Sequence, residues 1–235
     1  MGRHHEVRAA AMAKTGKMKS ALYGRASKEA YMAAKQGSPD PNTNLALRAV
    51  FEKYRGKSVP KDVFERAIKK AQGGDVVAYA EGRYEAYGPA GSYLIIDTLT
   101  DNPNRALTLV RTEIIRKGGH LGSVIYNFSQ KGVLAFKGNN RDEVEEALIL
   151  GDVDVQSVEQ EDDEIVVYVA PEAFARAKEV LAGLGVTEYE EAEVRMEPND
   201  YITIDNPEDK ARFEELLDNL DELEDVQNVY HNVEL

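Results

Sequence analysis

Ten side chains near the start of this sequence point to one kind of chemistry. Lys14, Lys17, Lys19, Arg25, Lys28 and Lys35 are interleaved with Tyr23 and Tyr31, and Arg3 and Arg8 extend the cationic track toward the first residue. Ammonium and guanidinium groups neutralise phosphates and phenol rings lie against bases or sugars, so the mixture suits a nucleic-acid surface. A charge run on its own more often marks a solvated helix face. Segregation separates the two readings. Residues 1–74 hold 16 Lys/Arg against 6 Asp/Glu, a balance of +10, whereas residues 75–235 hold 13 against 36, a balance of −23. The net charge of −13 thus hides a cationic front end on an anionic body, the pattern of an electrostatically distinct binding module. The acidic part repels the same polymer and confines contact to one end. The assignment requires the front-end cations to stay free of the carboxylate-rich part.

Other chemistries find less support. The four histidines, His4, His5, His120 and His231, have no cysteine partners and no metal-ligand spacing. The absence of cysteine excludes disulfides and thiolate sites, and places the chain in a reducing cytoplasm. "KGGHLG" lacks the preceding strand and the later acidic residue of a dinucleotide fingerprint. "GPAG" at 88–91 joins two apparent strands rather than a strand and a helix, so it reads as a turn and not as a phosphate cradle. Among 42 Asp/Glu no catalytic pair can be selected. The expectation is a protein without catalytic residues, metal or cofactor, and no apolar run approaches the roughly 20 residues that cross a bilayer.

The elements that position the cations are helical. Residues 5–36 are rich in Ala, Met, Lys and Arg, all good helix formers, and predict one or two helices with a break near Gly16. Asn42 to Asn44 offer caps for a second helix carrying Leu45, Leu47, Val50 and Phe51. In "SVPKDVFERAIKKAQGG" Ser58 can cap, Pro60 suits the first turn, and Gly73-Gly74 ends the helix. There Val63, Phe64 and Ile68 point inward while Lys61, Arg66, Lys69 and Lys70 stay wet.

After Gly74 the period changes. "GRYEAYG" and "SYLIIDTLT" read as strands. A helix from the Asp101–Asn104 caps to Lys117 turns Ala106, Leu107, Val110 and Ile114 to the sheet, and "SVIYNFS" is the next strand. A strand at 132–137, helix at 141–150, strands at 153–159 and 164–169, helix at 171–183 and strand at 187–196 then give βαββαβ, the split order of a ferredoxin-like fold. Helix 206–220 and the closing strand in "VQNVYHNVEL" are too short to form a domain alone and complete the layer begun at residue 78. The expected class is α/β (α+β) in three domains. Residues 1–77 form a basic helical domain, 78–130 with 201–235 a discontinuous ferredoxin-like-type domain, and 131–200 a second such domain inserted in it.

The stretches "MGR", "YMAAKQGSPDPNTN", "VPKDVFERAIKKAQG", "RYEAYGPAGSYLIIDTLTDNPNR", "RKGGHLGSVIYNF" followed by "KGV", and the ending "DVQNVYHNVEL" occur in this order over nearly the whole length. In them the chain resembles the YebC/PmpR family of probable transcriptional regulatory proteins, which includes a mitochondrial translational activator of cytochrome oxidase. The resemblance implies a three-domain α/β protein with a helical N-terminal domain, and links to DNA binding and, separately, to translation through proline-rich stretches. The chain departs from the family in having His4-His5 where Lys and Trp are usual, and in a shorter loop between "GGHLG" and "SVIYNF". The resulting expectation is a cytoplasmic regulator whose basic helices bind DNA. The alternative is a translation factor that sets the same helices on ribosomal RNA, with no standard helix-turn-helix recognition helix visible.

Overall fold

The computed structural model describes residues 16–73 and 77–235. The described residues separate into two compact units: 128–199 form one, and 16–127 with 200–234 form the other.

The larger unit begins with three helices, α1 (Gly16–Gln36), α2 (Leu45–Lys53) and α3 (Lys61–Gln72). Alanines at 26, 30, 33 and 34 of α1 let the other two helices approach, and Leu22, Tyr31, Leu47, Tyr54 and Phe64 fill the space between them. Phe51 and Phe64 pack with their rings tilted and centroids 4.6 Å apart. Asn44 caps α2, accepting the Leu47 amide at 3.0 Å, while its own amide donates to the carbonyls of Ala33 and Ser38 at 2.9 and 2.7 Å. One buried side chain thereby fixes the end of α1 to the start of α2. Ser58 does not cap α3. Gly56 and Ser58 both take positive φ in a turn, and Pro60 stands at the N-cap in extended backbone, where its missing N–H is no loss.

Next come β1 (Ala80–Tyr87), β2 (Tyr93–Thr100), α4 (Pro103–Arg116) and β3 (His120–Leu121). "GPAG" makes the expected turn between β1 and β2, with Ala90 and Gly91 at positive φ. Asn102 caps α4 by accepting the Arg105 amide at 3.1 Å. Leu107, expected to face the sheet, is exposed, whereas Ala106, Val110 and Ile114 are buried. After residue 199 the same layer receives β8 (Ile202–Thr203), α7 (Pro207–Asp221), β9 (Val226–His231) and β10 (Val233–Glu234). The sheet order is β3-β1-β2-β9, all antiparallel, with β8 and β10 forming a small parallel pair. Asn219 on α7 donates to Glu113 on α4 at 3.0 Å, so the two helices lie side by side.

"SVIYNFS" is not a strand of its own. Glu85 on β1 accepts the amides of Val124 and Ile125, both at 2.7 Å, and this occupies the N–H groups a ladder would need. Ile125–Asn127 make a single 3-10 turn, and the strand starts only at Phe128. Gly119 fixes the preceding turn. A Cβ there would press on the Tyr87 carbonyl oxygen and lie 3.0 Å from Ile114 Cγ2. Because the obstacle is main chain, Gly119→Ala is expected to lower stability by about 1–3 kcal/mol in urea denaturation. A loss below experimental error would mean that the turn shifts freely.

The inserted unit comprises β4 (Phe128–Lys137), α5 (Arg141–Leu150), β5 (Val155–Glu161), β6 (Glu164–Val169), α6 (Phe174–Gly183) and β7 (Glu191–Pro198). Its antiparallel order β5-β6-β4-β7 is the ferredoxin-like split order. The helices cover one sheet face through Leu134, Phe136, Val144, Leu148, Val167 and Leu181. Asp162 takes positive φ in the two-residue turn of the acidic β5–β6 hairpin.

Candidate nucleic-acid interface

Arg3, Arg8 and Lys14 lie outside the described residues. Of the other seven expected contact residues, the structure leaves four reachable by a ligand and buries three. Lys17, Lys19 and Lys35 are exposed and Tyr23 is half-buried. They sit toward the two ends of α1. Lys35 Nζ donates to the Ala71 carbonyl at 3.4 Å, and the Tyr23 hydroxyl donates to the Ser58 carbonyl at 3.4 Å. Lys19 has no partner among the described residues.

Arg25, Lys28 and Tyr31 are spent inside the unit. The middle of α1 is enclosed because its second face meets the corner between α7 and β9. Lys28 Nζ donates to Asp225 Oδ1 at 2.7 Å, to the Glu224 carbonyl at 3.1 Å and to the Leu99 carbonyl at 3.2 Å. Three N–H groups meet three acceptors, which is what a buried ammonium needs. Asp225 also takes a two-pronged bond from Arg105, with Nε at 3.1 Å and Nη2 at 2.8 Å from Oδ2. Burial alone would raise the Asp225 carboxyl, but hydrogen bonds from Lys28 and Arg105, reinforced by their charges, hold it below the usual carboxylate range. Arg25 Nη2 donates to the Asp221 carbonyl, and Nη1 lies 3.5 Å from Asp221 Oδ1. Tyr31 is 2% exposed, and its hydroxyl accepts the Val77 amide at 3.1 Å.

The requirement that the cations stay clear of the acidic part is therefore met only in part. Lys17, Arg25 and Lys28 face Glu222, Asp221 and Asp225 respectively. The Lys17 pair is loose, at 3.5 Å with the Lys17 side chain 81% exposed. Arg105, at the end of "DNPNR", binds a carboxylate of its own chain. Sequence separation explains why these partners escaped the sequence: the carboxylates lie almost two hundred residues from the cations of α1.

Exposed cations occur elsewhere in the helical layer. Lys69 and Lys70 close the last turn of α3, near Lys35 through the Ala71 carbonyl, and Arg55 and Lys57 lie in the α2–α3 connection with Lys57 over the Tyr54 ring at 5.6 Å. Lys61 and Arg66, also exposed, pair along the helix with Glu65 and Asp62. The helical spacing already places Lys61, Arg66, Lys69 and Lys70 on the wet face; for Arg55 and Lys57 the available signal is their place in a connection. Among the described residues no group of three His, Cys, Asp or Glu could hold a metal, and no helix is long and apolar enough to cross a membrane.

Residues 3–74 match the family described as the TACO1/YebC protein N-terminal domain, and residues 79–233 match the TACO1/YebC second and third domain. A probable transcriptional regulatory protein of Mesoplasma florum is 49% identical over 235 residues, covering 99% of each chain. A protein of the same description from Mycoplasma capricolum is 48% identical over 237 residues, covering 100% of each. The crystal structure of a conserved hypothetical protein from Aquifex aeolicus is similar with a TM-score of 0.76 and 31% identity, covering 94% of this chain and 93% of that one.

Proposed function

The chain belongs to the TACO1/YebC family, and from that premise we propose that it is a regulatory protein that binds nucleic acid, foremost duplex DNA, through its helical layer. It does so in the cytoplasm without catalysis or cofactor. The observation that carries the reading is the gathering of exposed cations on the helical layer of an otherwise acidic chain. Lys17, Lys19 and Lys35 at the ends of α1, with Tyr23 beside them, meet the sugar-phosphate backbone. Arg3, Arg8 and Lys14, which lie outside the described residues, add three more cations to the same end of the sequence. Lys28 and Tyr31 serve this surface by holding α1 in place, and Arg25 rests against Asp221 beside them. The relatives' description as probable transcriptional regulatory proteins supports a regulatory role.

One observation favours ribosomal RNA as the polymer instead. Lys17, Lys19, Lys35, Lys69 and Lys70 lie near helix ends and Arg55 and Lys57 in a connection, whereas Arg66 in the middle of α3 pairs with Asp62. This arrangement is unlike a single recognition helix entering a major groove. Sedimentation of lysate through a gradient separates the two. With DNA as target, the protein stays out of ribosomal fractions and protects a defined promoter fragment. Travel with ribosomes, reversed by nuclease or high salt, would transfer the proposal to ribosomal RNA, and neither behaviour would overturn both.

A further inference from the structure

The corner between α7 and β9 carries Asp221, Glu222, Glu224 and Asp225 within five residues, and it faces the one stripe of α1 formed by Lys17, Arg25 and Lys28. Spacings of eight and three residues place these cations within about 80° of one another on the helix. A short run of carboxylates against a helical stripe of cations has the charge pattern of a phosphate backbone against the same stripe. We infer that this corner is an internal competitor for nucleic acid: Asp221 and Glu222 hold Lys17 and Arg25 in an autoinhibited pairing that a polyanion displaces. The inference rests on the nucleic-acid reading proposed above.

The contacts divide into a fixed part and an exchangeable part. Lys28 is fully satisfied, its side chain is 8% exposed and that of Asp225 5%, and Arg105 braces the carboxylate from the other side. That cluster anchors the corner to α1. Arg25 is not satisfied: its Nε is buried and finds no acceptor among the described residues. A buried donor left unpaired is costly, so the Arg25 pairing is weaker than the one a phosphate with several oxygens could make. Lys17 meets Glu222 at 3.5 Å in solvent, a geometry of little net worth. Gly24 lies between them on α1, where a Cβ would come 2.6 Å from Glu224 Cγ. The bare backbone at Gly24 leaves room for the Glu224 side chain against α1. Displacement therefore needs only the two outer carboxylates to yield while the Lys28–Asp225 anchor remains.

The test is Asp221→Asn with Glu222→Gln in the full chain, which keeps the Asp221 carbonyl that Arg25 uses. Glu81→Gln with Glu214→Gln removes the same charge from exposed sites without partners among the described residues, and serves as the control. Binding to a fluorescein-labelled DNA duplex of two helical turns and to a single-stranded RNA of equal length is followed by anisotropy across salt, with melting temperature as the check on folding. The corner variant is expected to bind about 3–10-fold more tightly than the control, with a salt slope steeper by about 1 as the released Lys17 reaches a phosphate while Arg25 keeps the Asp221 carbonyl. If the wild type binds and the corner variant matches the control, the competitor is refuted and the nucleic-acid reading stands. If neither wild type nor variant binds either probe, the reading itself fails and takes the competitor with it.

Discussion

Asp225→Ala lowers the unfolding free energy of the larger unit by about 3–5 kcal/mol, the range for removing one partner of a buried ion pair. The variant strands Lys28 and loosens Arg105. Lys28, with only two carbonyls left, keeps a charge in a site that excludes water, and Arg105 loses its two-pronged acceptor and retains Asp101 at 2.8 Å. Lys28→Met should cost less, because Asp225 then keeps Arg105. That ordering, measured by urea denaturation followed in the far ultraviolet, checks the cluster; equal losses, or a loss under about 1 kcal/mol for Asp225→Ala, would mean that water reaches the carboxylate. The pH dependence has a fixed sign. Asp225 titrates below its unfolded value, so its contribution is present above the ordinary carboxylate pKa of about 4 and is lost as the pH falls through the depressed value. Asp225→Ala should therefore flatten the acid limb of stability, its loss being full near neutral pH and shrinking as the pH falls through the depressed value.

Reversing Lys14, Lys17 and Lys19 together to Glu is expected to weaken nucleic-acid binding by about two orders of magnitude near 0.1 M salt and to lower the salt slope by about 3 units on duplex DNA. Each lost phosphate contact returns roughly one counterion to the polymer, so the slope counts contacts while the affinity sums them. Lys19 has no partner among the described residues, and Lys17 has only the loose Glu222 pair, so the folded state loses little by the change. Titration of a labelled duplex over a range of salt gives both numbers. A weakened affinity with an unchanged slope would show damage to folding instead of loss of phosphate contacts, and no change in either would remove these lysines from the interface.

How far the sequence anticipates this molecule depends on how local each decision is. The helix at 141–150 and the strand at 164–169 coincide with α5 and β6 because their signals are adjacent: Asn140 caps, Gly151 ends the helix, and Asp162-Asp163 turn the chain. "SVIYNFS" misleads because Val124 and Phe128 are buried as strand residues would be, yet the backbone between them is held by Glu85, some forty residues upstream. The same distance effect hides the fate of α1. Its core positions are mostly alanine, so the sequence marks no strong apolar face, and a Lys or Arg between alanines reads as wet. Only the corner at 221–225 turns Arg25 and Lys28 inward. Lys19, Lys35, Lys69 and Lys70, by contrast, lie near helix ends where few neighbours can cover them, and there composition is a fair guide.

The pairing of β2 with β9 sets an order on biosynthesis. Residues 128–199 emerge from the ribosome as a continuous stretch and can close their own sheet while the chain is still growing. The layer around them cannot. Until the last ten residues are made, β2 keeps one unpaired edge, and the ammonium of Lys28 waits 197 positions for its carboxylate. A nascent or prematurely terminated product would thus combine a finished middle with an open, apolar strand and a solvated helix beside it, the profile of a substrate for chaperones and proteases.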